Sequence, residues 1–267
     1  DVTDEGSVEA ALARAALEYG GLDFEVSNAG IVTGGAIDET TLAQCCELFG
    51  MLRDAAEHHQ KAVESPQATA RVVRSAADFH LRARGFPMAE ALYRTVAERK
   101  VQASDDDVAA ARRGLALALA HQRRPDKQAE ALRLVKLQRD ERGLIDDAQF
   151  AADSAERLLQ AKVVGSLNHH TLRTKAIGLL ENLNQKGLLT AEDQFFLARL
   201  LEQHDGSAVA WTKTRLLLKG LMHQNPRNAR YLAYAAHLHL KQREFGQAEP
   251  IIARLETVEK ERKVPPG

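Results

Sequence analysis

The chain has 267 residues, 45% of them apolar, which is ordinary for a globular protein and enough for one large domain or two of usual size. Its 36 basic residues almost balance 37 acidic ones, so no field of one sign spans the molecule, which argues against nucleic acid or anionic membrane as a partner. No apolar run approaches the roughly 18 residues of a membrane span, and the two cysteines, Cys45 and Cys46, are chain neighbours that cannot build a disulfide framework, which fits a reducing compartment such as the cytoplasm.

Residues 1–50 read as β-α-β-α. The spacing of Val8, Leu12, Ala15 and Ala16 predicts a helix over 7–19, with Ser7 at its N-cap and Gly20-Gly21 ending it. Residues 22–27 read as a short strand and 28–36 as a Gly-rich loop. Residues 39–49 read as a second helix, with Leu42, Cys45 or Cys46, and Phe49 on one face. Residues 51–65 read as a helical connector. At its end Ser65 is a good N-cap for the next helix, and Pro66 suits a first helical position, where its missing N–H costs nothing.

From Pro66 onward the chain reads as helical. Asp105, Asp106 and Asp107 place carboxylates at the positive end of a helix. Thr190-Ala191-Glu192-Asp193 has the form of a capping box with Asp in the Glu position. Pro87 and Pro125 suit first turns, Asn228 caps the helix that follows it, and Pro250 is placed in the first turn of a helix beginning near Gly246. The helices that open successive hairpins are expected near 66, 105, 146, 190 and 228, with long loops at 162–171 and 204–207.

The strongest pattern is internal. Residues 73–96 align without a gap on 232–255, 159 positions later: Val73 meets Leu232, Ala77 meets Ala236, His80 meets His239, Phe86 meets Phe245, and Ala89 meets Ala248. The second helices share a small residue followed by apolar residues four and seven later. Ala89/Tyr93/Val96, Ala176/Leu180/Leu183, Thr214/Leu218/Leu221 and Ala248/Ile252/Leu255 all fit; the hairpin at 105–139 keeps Ala131 and Val135 and departs at Gln138. This spacing lines one face of a helix. The expected fold is mostly α: an α-solenoid of about five helical hairpins over 66–263, preceded by a small truncated α/β N-terminal fragment over 1–50 and the connector over 51–65.

The pattern resembles the tetratricopeptide repeat family. There a small residue sits on each helix where the two cross, here Ala77 with Ala89 and Ala236 with Ala248. A bulky residue opens the turn, here Phe86 and Phe245, with Trp211 in a similar place. The resemblance implies a right-handed superhelix whose concave face, lined by first helices, binds a protein, peptide or helix without catalysis. Each first helix carries an arginine: Arg71 or Arg74, Arg112, Arg157, Arg199 and Arg230. Those that face the groove would clamp an acidic or C-terminal carboxylate peptide; the others serve as helix formers on a wet face.

A second resemblance lies at the start. Asp1-Val2-Thr3-Asp4, Leu22-Asp23, Ser27-Asn28-Ala29-Gly30 and Ile37-Asp38-Glu39-Thr40-Thr41 together resemble the short-chain dehydrogenase/reductase family over about 50 residues. This implies contact with NAD or NADP at Asp1, with Asn28, Ala29 and Gly30 near the cofactor. The Gly-rich turn of such folds is not among these residues. No tyrosine is followed four later by the lysine that proton transfer needs: Tyr93 meets Ala97, Tyr231 meets Ala235, and Tyr234 meets Leu238. The expectation is therefore no enzyme, no bound cofactor and no metal, with a degenerate dehydrogenase-derived protein in weak cofactor contact as the alternative. His58-His59 and His169-His170 read as solvated surface, since helix neighbours point about 100° apart and chelate poorly. His80 and His239 read as packing beside the turn.

Overall fold

The computed structural model describes residues 39–48, 51–204 and 207–263, and every regular element among them is helical. The predicted helix at 7–19, strand at 22–27 and loop at 28–36 lie outside the described residues. The α-helices, in chain order, are α1 Glu39–Leu48, α2 Leu52–Glu64, α3 Ala70–Arg82, α4 Phe86–Ala97, α5 Asp105–His121, α6 Pro125–Leu134, α7 Ser154–Ser166, α8 His170–Gln185, α9 Ala191–His204, α10 Ala208–Gln224, α11 Ala229–Lys241 and α12 Phe245–Lys263. They pack as hairpins of consecutive helices, and among the helices that open successive hairpins α3 touches α5 and α5 touches α7. No described helix is long and apolar enough to cross a membrane.

The helix starts follow from side chains that satisfy the first free N–H groups. Ser104 accepts from the Asp107 N–H at 3.2 Å while Asp107 accepts from the Ser104 N–H, a full capping box for α5. Thr190 and Asp193 make the same reciprocal pair ahead of α9. Asn228 accepts from the N–H groups of Arg230 and Tyr231 at the start of α11.

Four boundaries differ from the sequence reading. The helix expected from Pro66 starts at Ala70, because Thr69 accepts the Val72 N–H while Ser65 closes α2. The third hairpin opens at Ser154 instead of 146: Asp153 accepts from two N–H groups, whereas Asp146 caps only the short 3-10 turn Asp147–Gln149. The loop expected over 162–171 shrinks to 167–169, since α7 continues to Ser166 and His169 caps α8. Pro250 falls past the first turn of α12, which begins at Phe245 and runs through it, leaving the Gly246 carbonyl without its in-helix donor.

The long connection over 135–153 is pinned from α7. Buried Gln160 donates to the Val135 carbonyl at 3.0 Å and accepts from the Ala151 N–H at 2.8 Å, so neither amide atom is left dry. Leu137, rather than Gln138, takes the buried place at the end of this hairpin, because α6 stops at Leu134.

The two stretches that align in sequence have corresponding bounds. α3 and α11 begin and end at positions 159 apart, and each leaves through a left-handed residue, Arg84 at φ 62° and Arg243 at φ 59°. The closing bonds correspond as well: Gly85 N–H to His80 O at 2.8 Å, and Glu244 N–H to His239 O at 2.9 Å. Ala77, Ala89, Ala236 and Ala248 are all buried. The bulky turn residues do not correspond. Phe86 stacks on His121 of the next hairpin at 4.7 Å, whereas Phe245 is 64% exposed, since no further hairpin covers it among the described residues.

The apolar interior runs the length of these hairpins as overlapping clusters. Leu179 packs against both the first and the second cluster, and Leu217 against both the second and the third. α1 and α2 form their own hairpin, joined to α3 by Phe79 against His59 at 4.9 Å and by Glu47 with Arg82 at 2.5 Å. His59 is thus buried and bonded to Glu47 at 2.9 Å, not solvated as its sequence context suggested, because α1 lies over it.

Helix approach is closest at Gly114, where a Cβ would lie 2.3 Å from Tyr93 Cζ. Gly114→Ala should therefore lower stability by about 1–3 kcal/mol, the usual effect of overpacking. Gly178→Ala, with nothing within 4 Å of its added methyl, should hold or raise stability by up to about 1 kcal/mol. Urea unfolding of the two variants checks the contrast.

Candidate functional site: a cationic groove

A groove of about 770 Å³ opens on the side of the molecule formed by the first helices. Its walls come from five successive hairpins. The end of α3 and its turn contribute Arg84 and Phe86, the end of α5 contributes His121, α7 contributes Lys162, α9 contributes Arg199, and α11 contributes Tyr234. Six arginines and one lysine line it against a single carboxylate, Glu192. Several of the cations sit at or just past helix C-termini, where the helix dipole favours positive charge: Arg82 and Arg84 after α3, and Arg123 after α5.

Three of these cations are neutralised locally. Arg82 pairs with Glu47 at 2.5 Å, Lys162 with Asp193 at 2.7 Å, and Arg230 with Glu192 at 2.7 Å while its guanidinium lies over the Phe195 ring at 4.7 Å. Asp193 is buried; burial alone would push its carboxyl up, but hydrogen bonds from Lys162 and Thr190 more than offset this and hold it low.

The other four, Arg84, Arg123, Arg173 and Arg199, have no carboxylate partner among the described residues. Arg173 gives one bond to the Gln203 carbonyl at 3.2 Å and keeps a buried Nε without a partner. Arg199 is depressed by burial first and then by the Arg84 and Arg230 guanidiniums, with Tyr234 and the more distant Glu202 carboxylate partly opposing them. Beside it Tyr234 is pushed up to about 12 by burial and by Glu202, whose carboxylate is taken by Lys241 at 2.5 Å.

The arginines singled out from sequence fall into three groups. Arg199 and Arg230 line the groove. Arg74 is spent on Asp107 at 2.9 Å, tying α3 to α5, and Arg157 on the Ala151 carbonyl at 2.6 Å. Arg71 and Arg112 are exposed and outside the groove lining. Asp1, Asn28, Ala29 and Gly30 lie outside the described residues. Sequence reasoning passed over Arg84, Arg123 and Arg173, which are at turns or on a second helix. The available signal was the basic residues crowded at two turns, Arg82-Ala83-Arg84 and Arg123-Arg124. No group of three or more His, Cys, Asp or Glu side chains able to hold a metal ion occurs among the described residues.

No known protein-family profile matches the chain. A stretch of 44 residues is 52% identical to the protein named uncharacterized oxidoreductase YuxG of Bacillus subtilis (strain 168). The match covers 16% of this chain and only 6% of that protein.

His121 gives the groove a pH signature. It stacks on Phe86 and lies 3.4 Å from Ser166 Oγ, and burial, followed by repulsion from Arg199, Arg84 and Lys162, lowers its pKa to about 4. Its folded pKa is below the unfolded value of about 6.5, so the unfolded state takes up the proton first. Stability is then full above about pH 6.5 and falls by up to about 3 kcal/mol as pH drops towards about 4. Urea unfolding at pH 7 and pH 5 should show this loss, and His121→Gln should remove most of it.

Proposed function

We propose that the chain is a protein–protein interaction scaffold, a tetratricopeptide-like α-solenoid that holds a peptide or helix of a partner in its groove and performs no catalysis. The observation that carries this reading is the groove itself, an open channel walled by five successive hairpins. A lining shared by successive hairpins offers a surface to an extended chain or one helix face, the modes by which helical arrays recognise segments of other proteins. The matching bounds of α3 and α11, with buried small residues at both crossings, support the repeat reading.

A second reading, a degenerate short-chain dehydrogenase-derived protein with weak NAD or NADP contact, is favoured by the 44-residue match alone. The chain spans so little of that relative that its activity does not transfer. Titration with NAD and NADP separates the two readings: a rise in melting temperature with cofactor supports the second, and an unchanged value supports the scaffold.

Ala233 is an exposed groove residue on α11, so Ala233→Trp should fill the channel without touching the core. A photo-crosslinking side chain at 233 should attach to a bound peptide, and the same group at 71 should not. Capture that persists unchanged in Ala233→Trp, with wild-type folding, would place binding elsewhere.

A further inference from the structure

Four guanidiniums without carboxylate partners stand in one groove, and they come from four successive hairpins: Arg84 from the turn after α3, Arg123 from the turn after α5, Arg173 from α8 and Arg199 from α9. Arg173 and Arg199 are partly withdrawn from water, Arg84 and Arg123 are exposed, and like charges gathered in one place repel unless an anion intervenes. The folded chain pays twice to keep them. Arg84 also holds a left-handed backbone, φ 62°, where glycine is the unstrained choice. Its counterpart 159 positions on, Arg243, has the same conformation and lies outside the groove.

We propose that the groove binds an internal acidic stretch of a partner protein, whose Asp and Glu side chains pair with Arg84, Arg123, Arg173 and Arg199. The inference rests on the groove-binding reading above and names the chemistry of its ligand. A single terminal carboxylate cannot satisfy cations spread over four hairpins; a run of acidic side chains can, each accepting the paired N–H donors of one guanidinium. Leu81, Leu117 and Leu200 also line the groove and offer apolar contact to small apolar residues within the acidic run.

A polynucleotide fits less well. Phe86 is already stacked on His121, and Phe195 lies under the Arg230 guanidinium with Tyr234 edge-on to it at 5.2 Å. Of the remaining lining rings, Phe196 packs against the second apolar cluster, which leaves His237 as the one exposed ring, whereas single-strand binding depends on several rings that stack successive bases. The net charge of −1 gives no long-range positive field to draw in a polyanion.

The test is selection of random peptides displayed as internal phage fusions on the purified chain, followed by affinity measurement of the best peptide against wild type, Arg84→Gly and Arg199→Gln. Selected peptides should be rich in Asp and Glu. Each substitution should weaken binding by about tenfold or more, the weight of a charge-assisted pair, and added salt should weaken wild-type binding. Arg84→Gly suits its left-handed position, so its melting temperature should equal or exceed that of wild type, which separates lost binding from lost folding. Selected peptides without acidic excess that still crosslink at 233 would overturn the inference and leave the groove reading standing. So would equal affinity in both variants, or displacement of the peptide by an oligothymidylate that binds more tightly. Failure to enrich any peptide would overturn both.

Discussion

At Gly114 the backbone of α5 lies against the ring of Tyr93 with no room for a methyl group, and at Gly165 an added Cβ would sit 3.3 Å from Ala176 and 2.7 Å from Leu200. Approach this close, from one hairpin to the next and within a hairpin, is what the rest of the structure depends on. A fully buried Leu, Ile or Phe contributes roughly 1.5–3 kcal/mol, while ordering the backbone costs about 1–2 kcal/mol per residue. One hairpin has too few buried side chains to meet that cost alone. Contact with the neighbours on either side supplies the remainder, and Leu179 and Leu217, each shared by two apolar clusters, are where that sharing is visible.

The groove follows from the same packing. Because α3 touches α5 and α5 touches α7 along one side, their ends and turns converge, and the cations that complement helix C-termini are gathered into one channel. A chain with almost no net charge thereby acquires a local excess of positive charge. Some of it is neutralised by Glu47, Asp193 and Glu192, and the rest faces the channel. His121 sits at the base of this field, kept neutral by burial and by the surrounding cations.

Much of the helical architecture was legible in the sequence because its signals are local. The capping pairs at Ser104 with Asp107 and at Thr190 with Asp193 act within one turn. Three of the small-apolar-apolar triplets, such as Ala176/Leu180/Leu183, are buried as their spacing requires, whereas in Ala248/Ile252/Leu255 only Ala248 is, since no further hairpin covers α12 among the described residues. The misplaced starts at Pro66 and 146 arose where two capping residues competed nearby, Ser65 with Thr69 and Asp146 with Asp153. Propensity cannot rank such pairs without knowing which one the neighbouring hairpin accommodates. The site was less legible. Arg199 and Arg230 were found by their place on first helices, but Arg71 and Arg112 share that place and face away from the groove lining. The basic residues at the turns of Arg84 and Arg123 are visible in short windows, but only the packing of successive hairpins brings those two turns into one channel. The burial of His59 came from α1 folding over α2, a tertiary contact its pairing with His58 did not announce.

The central claim is that the hairpins stand only by leaning on one another. The chain contains one tryptophan, Trp211 on α10, which lies edge-on to His239 of α11 at 5.6 Å and so reports the last two hairpins, while far-ultraviolet circular dichroism reports all of them. In urea the two signals should lose their native values together, at one midpoint and with one slope, as mutual support requires. A Trp211 transition well separated from the loss of helix would show that these two hairpins fold independently of the others and would contradict the account.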